Sequence, residues 1–289
     1  MKTRKLISLF LTLTMLCSCI VISPFATAQS TTVYVNGELE TNGTGTKDSP
    51  FNTIANAVKA LQNSGGTIVV MGNTALTNNA FTNSAKITVT AHDGTTDYRG
   101  AIGVEDNTTF TGGCLTWSTG APYDFGLYSG EVEFKNLNLV WFARYSGLNL
   151  HGRTFTLGEG VKWYEQKTAT DKTLVDDYSE SVRLYDINTN GPVTKNGVTV
   201  LNISTGTKAI KVIAGARCEM TTAGHIFNVD GYIKELHLSS ESNNNTRGKL
   251  IVDGDVKINL GSTGTIAKLT VATAGSGNTK GLANQKLLE

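Results

Sequence analysis

The chain predicts an all-β solenoid of stacked parallel strands, closed at its N-terminal end by one amphipathic helix. Three observations carry that expectation. Phe110, Phe134 and Phe155 precede Trp117, Trp141 and Trp163 by seven, seven and eight residues, and the phenylalanines lie 24 and then 21 residues apart. A repeat of that length is too short to hold its own core and must stack on its neighbours. Short runs in which apolar and β-branched residues alternate with polar ones are punctuated by glycine and asparagine, while helix formers are sparse. One segment, residues 47–73, switches from helical to strand character across a Gly-Gly pair. With 289 residues, 31 glycines and only 4 prolines, one β-type core, or one plus a small appendage, suits the length.

Residues 1–28 read as a secretory signal peptide. Lys2, Arg4 and Lys5 form the positive start, 6–22 the apolar stretch, and Ala26-Thr27-Ala28 the small-residue cleavage site. Leu16-Cys17-Ser18-Cys19 also resembles a loose bacterial lipobox, which would leave Cys19 lipidated. Both readings export the chain to the cell surface or beyond, with no membrane span after processing. Of 25 Lys and Arg residues, removing those three leaves 22 against 24 Asp and Glu, a net charge of about −2. Bulk charge therefore draws the protein toward neither nucleic acid nor an anionic membrane. Cys114 and Cys218 remain, as one disulfide or as two separate buried thiols; without a small disulfide scaffold the second reading is preferred.

In chain order, 32–36 is a short strand and 37–49 a glycine-rich loop. Pro50 keeps its predecessor extended, and Thr53 caps a helix whose apolar face carries Ile54, Ala55, Val58 and Leu61. Gly65-Gly66 stops it, because glycine takes the positive φ that a helix end needs, and 67–71 is a buried strand. Residues 86–90 alternate and end in a turn at His92-Asp93-Gly94. Residues 131–140 alternate with a shift of register near Lys135-Asn136, as a bend between two strands of one coil would produce. The polar run 165–180 is a protruding loop. Strands resume at 182–187, 198–203, 209–213, 225–229, 232–238, 249–260 and 265–271, and 272–289 reads as a linker or frayed tail. The stacked domain then spans 29–271, with its cap at 47–66.

The strand Val33-Tyr34-Val35, the loop after it, Ser49-Pro50-Phe51-Asn52-Thr53-Ile54, the helix and Gly65-Gly66-Thr67-Ile68-Val69 together resemble the N-terminal cap of right-handed, single-stranded parallel β-helix proteins of the pectate-lyase-like superfamily. The resemblance covers residues 32–71. It implies that fold in an exported bacterial protein, and it implies no reaction, since the superfamily includes lyases, hydrolases, adhesins and proteins without activity.

The chemistry is thin. A lyase needs an Arg or Lys base and calcium-holding acids. Asp253-Gly254-Asp255 puts two carboxylates on one strand face, which suits calcium or a solvated outer face, and no third acid is near. A polygalacturonase-like set fails: Asp176-Asp177 precedes Asn188-Thr189-Asn190, Gly224-His225 runs into Ile226, and Tyr232-Ile233-Lys234 lacks the arginine. His92, His151 and His225 are scattered, and no zinc spacing, phosphate loop or nucleophile triad is present. No cofactor or metal is expected.

Binding is the remaining reading. Trp117, Trp141 and Trp163 recur with Tyr145 and Tyr164 nearby. Facing out, they form a stripe that stacks on sugar rings, with Tyr164, Arg144 and Asp124 contributing; facing in, they form an aromatic ladder in the core. The functional expectation is a non-catalytic secreted or surface module for glycan binding, adhesion or scaffolding. The alternative is a polysaccharide lyase or glycoside hydrolase.

Overall fold

Helix α1 (Ile54–Ala60) begins where Thr53 can cap it. Thr53 is extended, at φ −141° and ψ 149°, and its hydroxyl accepts from the Asn56 N–H at 3.2 Å. The computed structural model describes residues 31–76, 81–82, 85–102, 110–117, 124–126, 130–142, 147–150, 152–166, 174–175, 182–185, 197–214, 224–238, 255–271 and 287–288. The expected leader with Cys19, and Arg144, Tyr145, His151, Asp176, Asp177, Asn188, Cys218 and Asp253, lie outside them.

The helix buries Ile54, Ala57 and Val58, followed by Leu61. That is one face, because residues three and four apart are helix neighbours. Ala55, expected on this face, is exposed and Ala57 takes the place. Gly65 and Gly66 follow at φ +66° and +143°. A side chain at Gly66 would collide with the Thr31 carbonyl, so the exit from the helix requires glycine for space as well as for φ.

The chain runs from β1 (Thr32–Val35) through α1 to β2 (Gly66–Val70), β3 (Asn73–Leu76) and β4 (Lys86–Thr90). Then come β5 (Arg99–Ile102), β6 (Phe110–Gly112), β7 (Cys114–Trp117), β8 (Asp124–Gly126), β9 (Glu131–Lys135), β10 (Asn138–Phe142) and β11 (Gly147–Asn149). β12 (Thr154–Leu157), β13 (Lys162–Gln166), β14 (Leu174–Val175), β15 (Val182–Tyr185), β16 (Val198–Ile203) and β17 (Lys208–Ala214) follow. The last are β18 (Gly224–Val229), β19 (Tyr232–Leu238), β20 (Asp255–Leu260), β21 (Thr265–Val271) and β22 (Leu287–Leu288).

These strands build an all-β fold of long, mostly parallel sheets. The largest runs β1-β2-β4-β9-β12-β16-β18-β20-β22, a second runs β14-β13-β10-β7-β3, and a third runs β21-β19-β17-β15-β11-β8. From β7 to β13 the chain visits the second, third and first sheets in rotation. The bend expected near Lys135-Asn136 lies between β9 and β10, where Asn136 takes φ 44° and the chain changes sheet. Asparagine tolerates that region better than most residues.

Register lines up the core. Ile68, Val89, Phe134, Leu157, Ile203 and Val229 form one row across the first sheet, and Ile87, Val132, Phe155, Leu201 and Phe227 form another. All are buried. The Phe134 and Phe155 rings meet edge-on at 5.1 Å between centroids.

The Phe–Trp repeat has the right length and an imperfect phase. Leu115, Leu139 and Trp163 share a row, each 24 residues from the next, whereas Trp141 pairs with Glu165. Phe134 pairs with Leu157, two places beyond Phe155, and Phe110 lies in an antiparallel ladder with β5. Shifts of two keep each residue's face, because strand side chains alternate with period two. Cys114 is a buried free thiol, its pKa pushed up to about 11 by burial.

Candidate functional site

The outward side of the first sheet carries a row of polar residues: Thr67, Thr88, Glu133, Thr156, Asn202, Asn228 and Asn259. In-register parallel strands lie about 4.8 Å apart, so stacked amides can bond along the row. Asn259 Nδ2 donates to Asn228 Oδ1 at 2.7 Å, Asn228 Nδ2 to Asn202 Oδ1 at 2.7 Å, and Asn202 Nδ2 to Thr156 Oγ1 at 2.9 Å. Each Asn amide has two N–H donors and two acceptor lone pairs. One donor on each is used along the ladder, which orients the remaining groups.

Beside this ladder is an open cleft of about 410 Å³, lined by Asn202, Ile203, Ser204, Asn228, Asp230, Asn259, Leu260 and Gly261. Its shape follows from the next outward row, Ser204, Asp230 and Gly261. Gly261 contributes no side chain, and a Cβ there would run into the Asp230 carboxylate. Thr263 Oγ1 donates to the Asp230 carbonyl at 2.7 Å and lies 3.2 Å from Thr205 Oγ1, tying the turns at the cleft's end together. Leu260 is 57% exposed and, by strand alternation, points to the face opposite Asn259.

Other charged groups near the N-terminal end are held by partners. Asp93 accepts from Lys47 Nζ and Tyr98 OH, both at 2.9 Å, and from the Thr95 and Thr96 N–H groups at 3.0 and 2.7 Å. Lys47 first, then those backbone donors, keep its carboxyl well below the ordinary range. Tyr98 and Asp93 hold the Lys47 ammonium above its own. The Lys47 ammonium is thereby paired with the Asp93 carboxylate. Arg99 grips Asp97 with three N–H···O bonds and also reaches the Gly160 carbonyl at 3.2 Å, holding the Asp97 carboxyl low. Lys86 lies 3.0 Å from Glu131 and 3.6 Å from Glu133, and its pKa is raised mainly by the bond to Glu131.

The sequence-derived site residues distribute as follows. Trp117, Trp141 and both Trp163 and Tyr164 sit on β7, β10 and β13 of the second sheet, and Asp124 sits on β8 of the third. Their side chains lie outside the described ones. Asp255 starts β20, also without a described side chain. His225 is 1% exposed, its ring 6.5 Å from that of Phe227, while Tyr232 and Lys234 belong to another sheet. His225 is therefore a buried core residue. Among the described residues no three His, Cys, Asp or Glu groups gather as metal ligands, and no helix is long and apolar enough to cross a membrane.

Sequence reading missed the amide row. The three asparagines are 26 and 31 residues apart, which hides them from any fixed period. Their local signature was visible: Asn202-Ile203-Ser204, Asn228-Val229-Asp230 and Asn259-Leu260-Gly261 each read asparagine, apolar residue, turn residue. No family model matches the chain, and neither a curated protein nor a solved structure matches it.

Proposed function

We propose that the protein is an exported right-handed parallel β-helix of the pectate-lyase-like kind, acting as a non-catalytic module that binds glycans at or beyond the cell surface. The observation that carries the reading is the hydrogen-bonded outward row ending in Asn202, Asn228 and Asn259. It is a repetitive, ordered polar surface, which suits contact along an extended chain better than attack on one bond. The rotation of the chain among three parallel sheets supports the helical stack. The pairing of Lys47, Arg99 and Lys86 with carboxylates supports structural roles for those groups. The signal-like N-terminus supports export, and Trp117, Trp141, Trp163 and Tyr164 remain the stacking candidates on the second sheet, with Arg144 and Asp124 as polar partners.

The test is incubation of the purified protein with pectin, alginate, glycosaminoglycan, xylan and mannan, measuring both released product and retention on insoluble polysaccharide. The reading expects retention without product. Unsaturated or reducing ends appearing over time would establish the lyase or hydrolase alternative instead.

A further inference from the structure

We propose that the cleft beside Asn202, Asn228 and Asn259 is the contact site for an uncharged, hydroxyl-rich saccharide chain lying along the amide row. This rests on the glycan-binding reading above and assigns it a site, a ligand class and a direction.

The groups on the cleft fit such a ligand. Adjacent sugar hydroxyls both donate and accept, and so do the free positions of a stacked amide. The Asp230 carboxylate accepts only, so it suits a hydroxyl donor and repels a uronate or sulfated sugar. A few placed polar groups are what fixes a ligand's orientation in a small-molecule site. A cation is a poorer match: Asp230 is the one carboxylate among the lining residues, against the several oxygens that a calcium site draws on.

Order matters as much as composition. An isolated surface asparagine must be immobilised when it binds, which costs side-chain entropy. Here Asn228 is held from both sides, donating to Asn202 and accepting from Asn259. The row also repeats once per strand spacing, about 4.8 Å, so a chain running across the strands meets the same chemistry at each step. A chain running parallel to them would not.

The experiment titrates xylohexaose, cellohexaose and mannohexaose, with trigalacturonate as the charged comparison, into the full mature chain. Binding is read by calorimetry and by the side-chain amide signals of Asn202, Asn228 and Asn259 in ¹⁵N-correlated NMR spectra. The variants are Asn259→Ala, at the exposed end of the ladder, and Asp230→Ala, each checked for an unchanged melting temperature, with Trp141→Ala as a variant on the other sheet. The inference expects at least one neutral hexaose to bind and to shift the three amide signals. It also expects Asn259→Ala or Asp230→Ala to weaken binding about tenfold or more, and trigalacturonate to bind more weakly than the neutral chains. Binding that Trp141→Ala abolishes while both cleft variants keep it intact overturns this site and leaves the glycan-binding function standing. Preference for trigalacturonate, or no binding by any neutral hexaose, overturns the ligand class; in that case retention on insoluble polysaccharide still decides the broader reading separately.

Discussion

The two ends of the long parallel sheets are built from similar rows, and their described residues differ in burial. At the N-terminal end, α1 lies over β1, β2 and β3, and Ile54, Val58 and Leu61 are buried with Val33, Val35 and Ile68. The outer edge of β1 is occupied as well: Tyr34 N–H donates to Gly45 O, Phe51 N–H to Tyr34 O and Asn36 N–H to Phe51 O, at 2.8–2.9 Å. Among the described residues at the other end, the same rows are less buried. Leu260 continues the row of Ile203 and Val229, and Leu269 continues that of Val212 and Leu236, yet they are 57% and 43% exposed. β22 pairs with Val256 and Lys257 of β20. Position in a row therefore does not bury a side chain; the layer stacked on it does. Because the hydrophobic contribution scales with area removed from water, about 25 cal/mol per Å², equivalent residues at the two ends should differ sharply in what they contribute.

The largest expected effect is at the end of helix α1. Leu61→Asp places an unpaired charge in a fully buried site and should cost about 4 kcal/mol or more, seen as a lost or steeply lowered thermal transition with aggregation. An unchanged melting temperature would mean the helix does not seal the core. Next comes a matched pair within one row. Val229→Ala removes a buried side chain and should cost about 1.5–3 kcal/mol, whereas Leu260→Ala should stay within about 0.5 kcal/mol; urea midpoints compare them, and equal losses would break the contrast. Thr53→Ala loses the hydroxyl that caps Asn56 N–H and should cost about 1 kcal/mol, with Thr53→Ser restoring it.

The smallest effect is electrostatic and also belongs to the N-terminal half. Asp93 and Asp97 titrate lower when folded than when unfolded. The unfolded chain therefore binds more protons once pH drops below about 4, and stability contributed above that value is lost as pH falls toward the folded pKa values. Melting temperature should fall on acidification, and Asp93→Asn should flatten that acid limb while lowering stability at neutral pH. An identical acid limb in the variant would show that the Lys47–Asp93–Tyr98 cluster contributes nothing to pH dependence.

Helix α1 and its flanks were the most legible part of the sequence, because their signals are local. A capping Thr53, apolar residues at helical spacing and the Gly65-Gly66 stop all act within about twenty residues. Ala55 was misplaced because alanine carries little patterning information, although Ile54 with spacing of three and four already pointed to Ala57 and Val58. Strands with clean alternation, such as 198–203, 232–238 and 265–271, were legible for the same local reason. Row membership was not. It depends on the length of every connection between strands, so Trp163 slipped two places from Trp141 and Phe110 left the long sheets altogether. The amide row shows the same limit: its members share a local pattern, while their alignment arises from pairing across 26 and 31 residues of chain.

The contrast between the ends is tested most directly by hydrogen exchange followed by mass spectrometry on the unmodified protein, comparing peptides that contain 66–70 and 265–271. Exchange reports local opening, which ranges from nearly free at fraying edges up to global unfolding in core strands. Slow exchange in β2 under the helix, with exchange at least about tenfold faster in β21, is the predicted result. Equal protection of the two segments would contradict it, because both ends would then be equally covered.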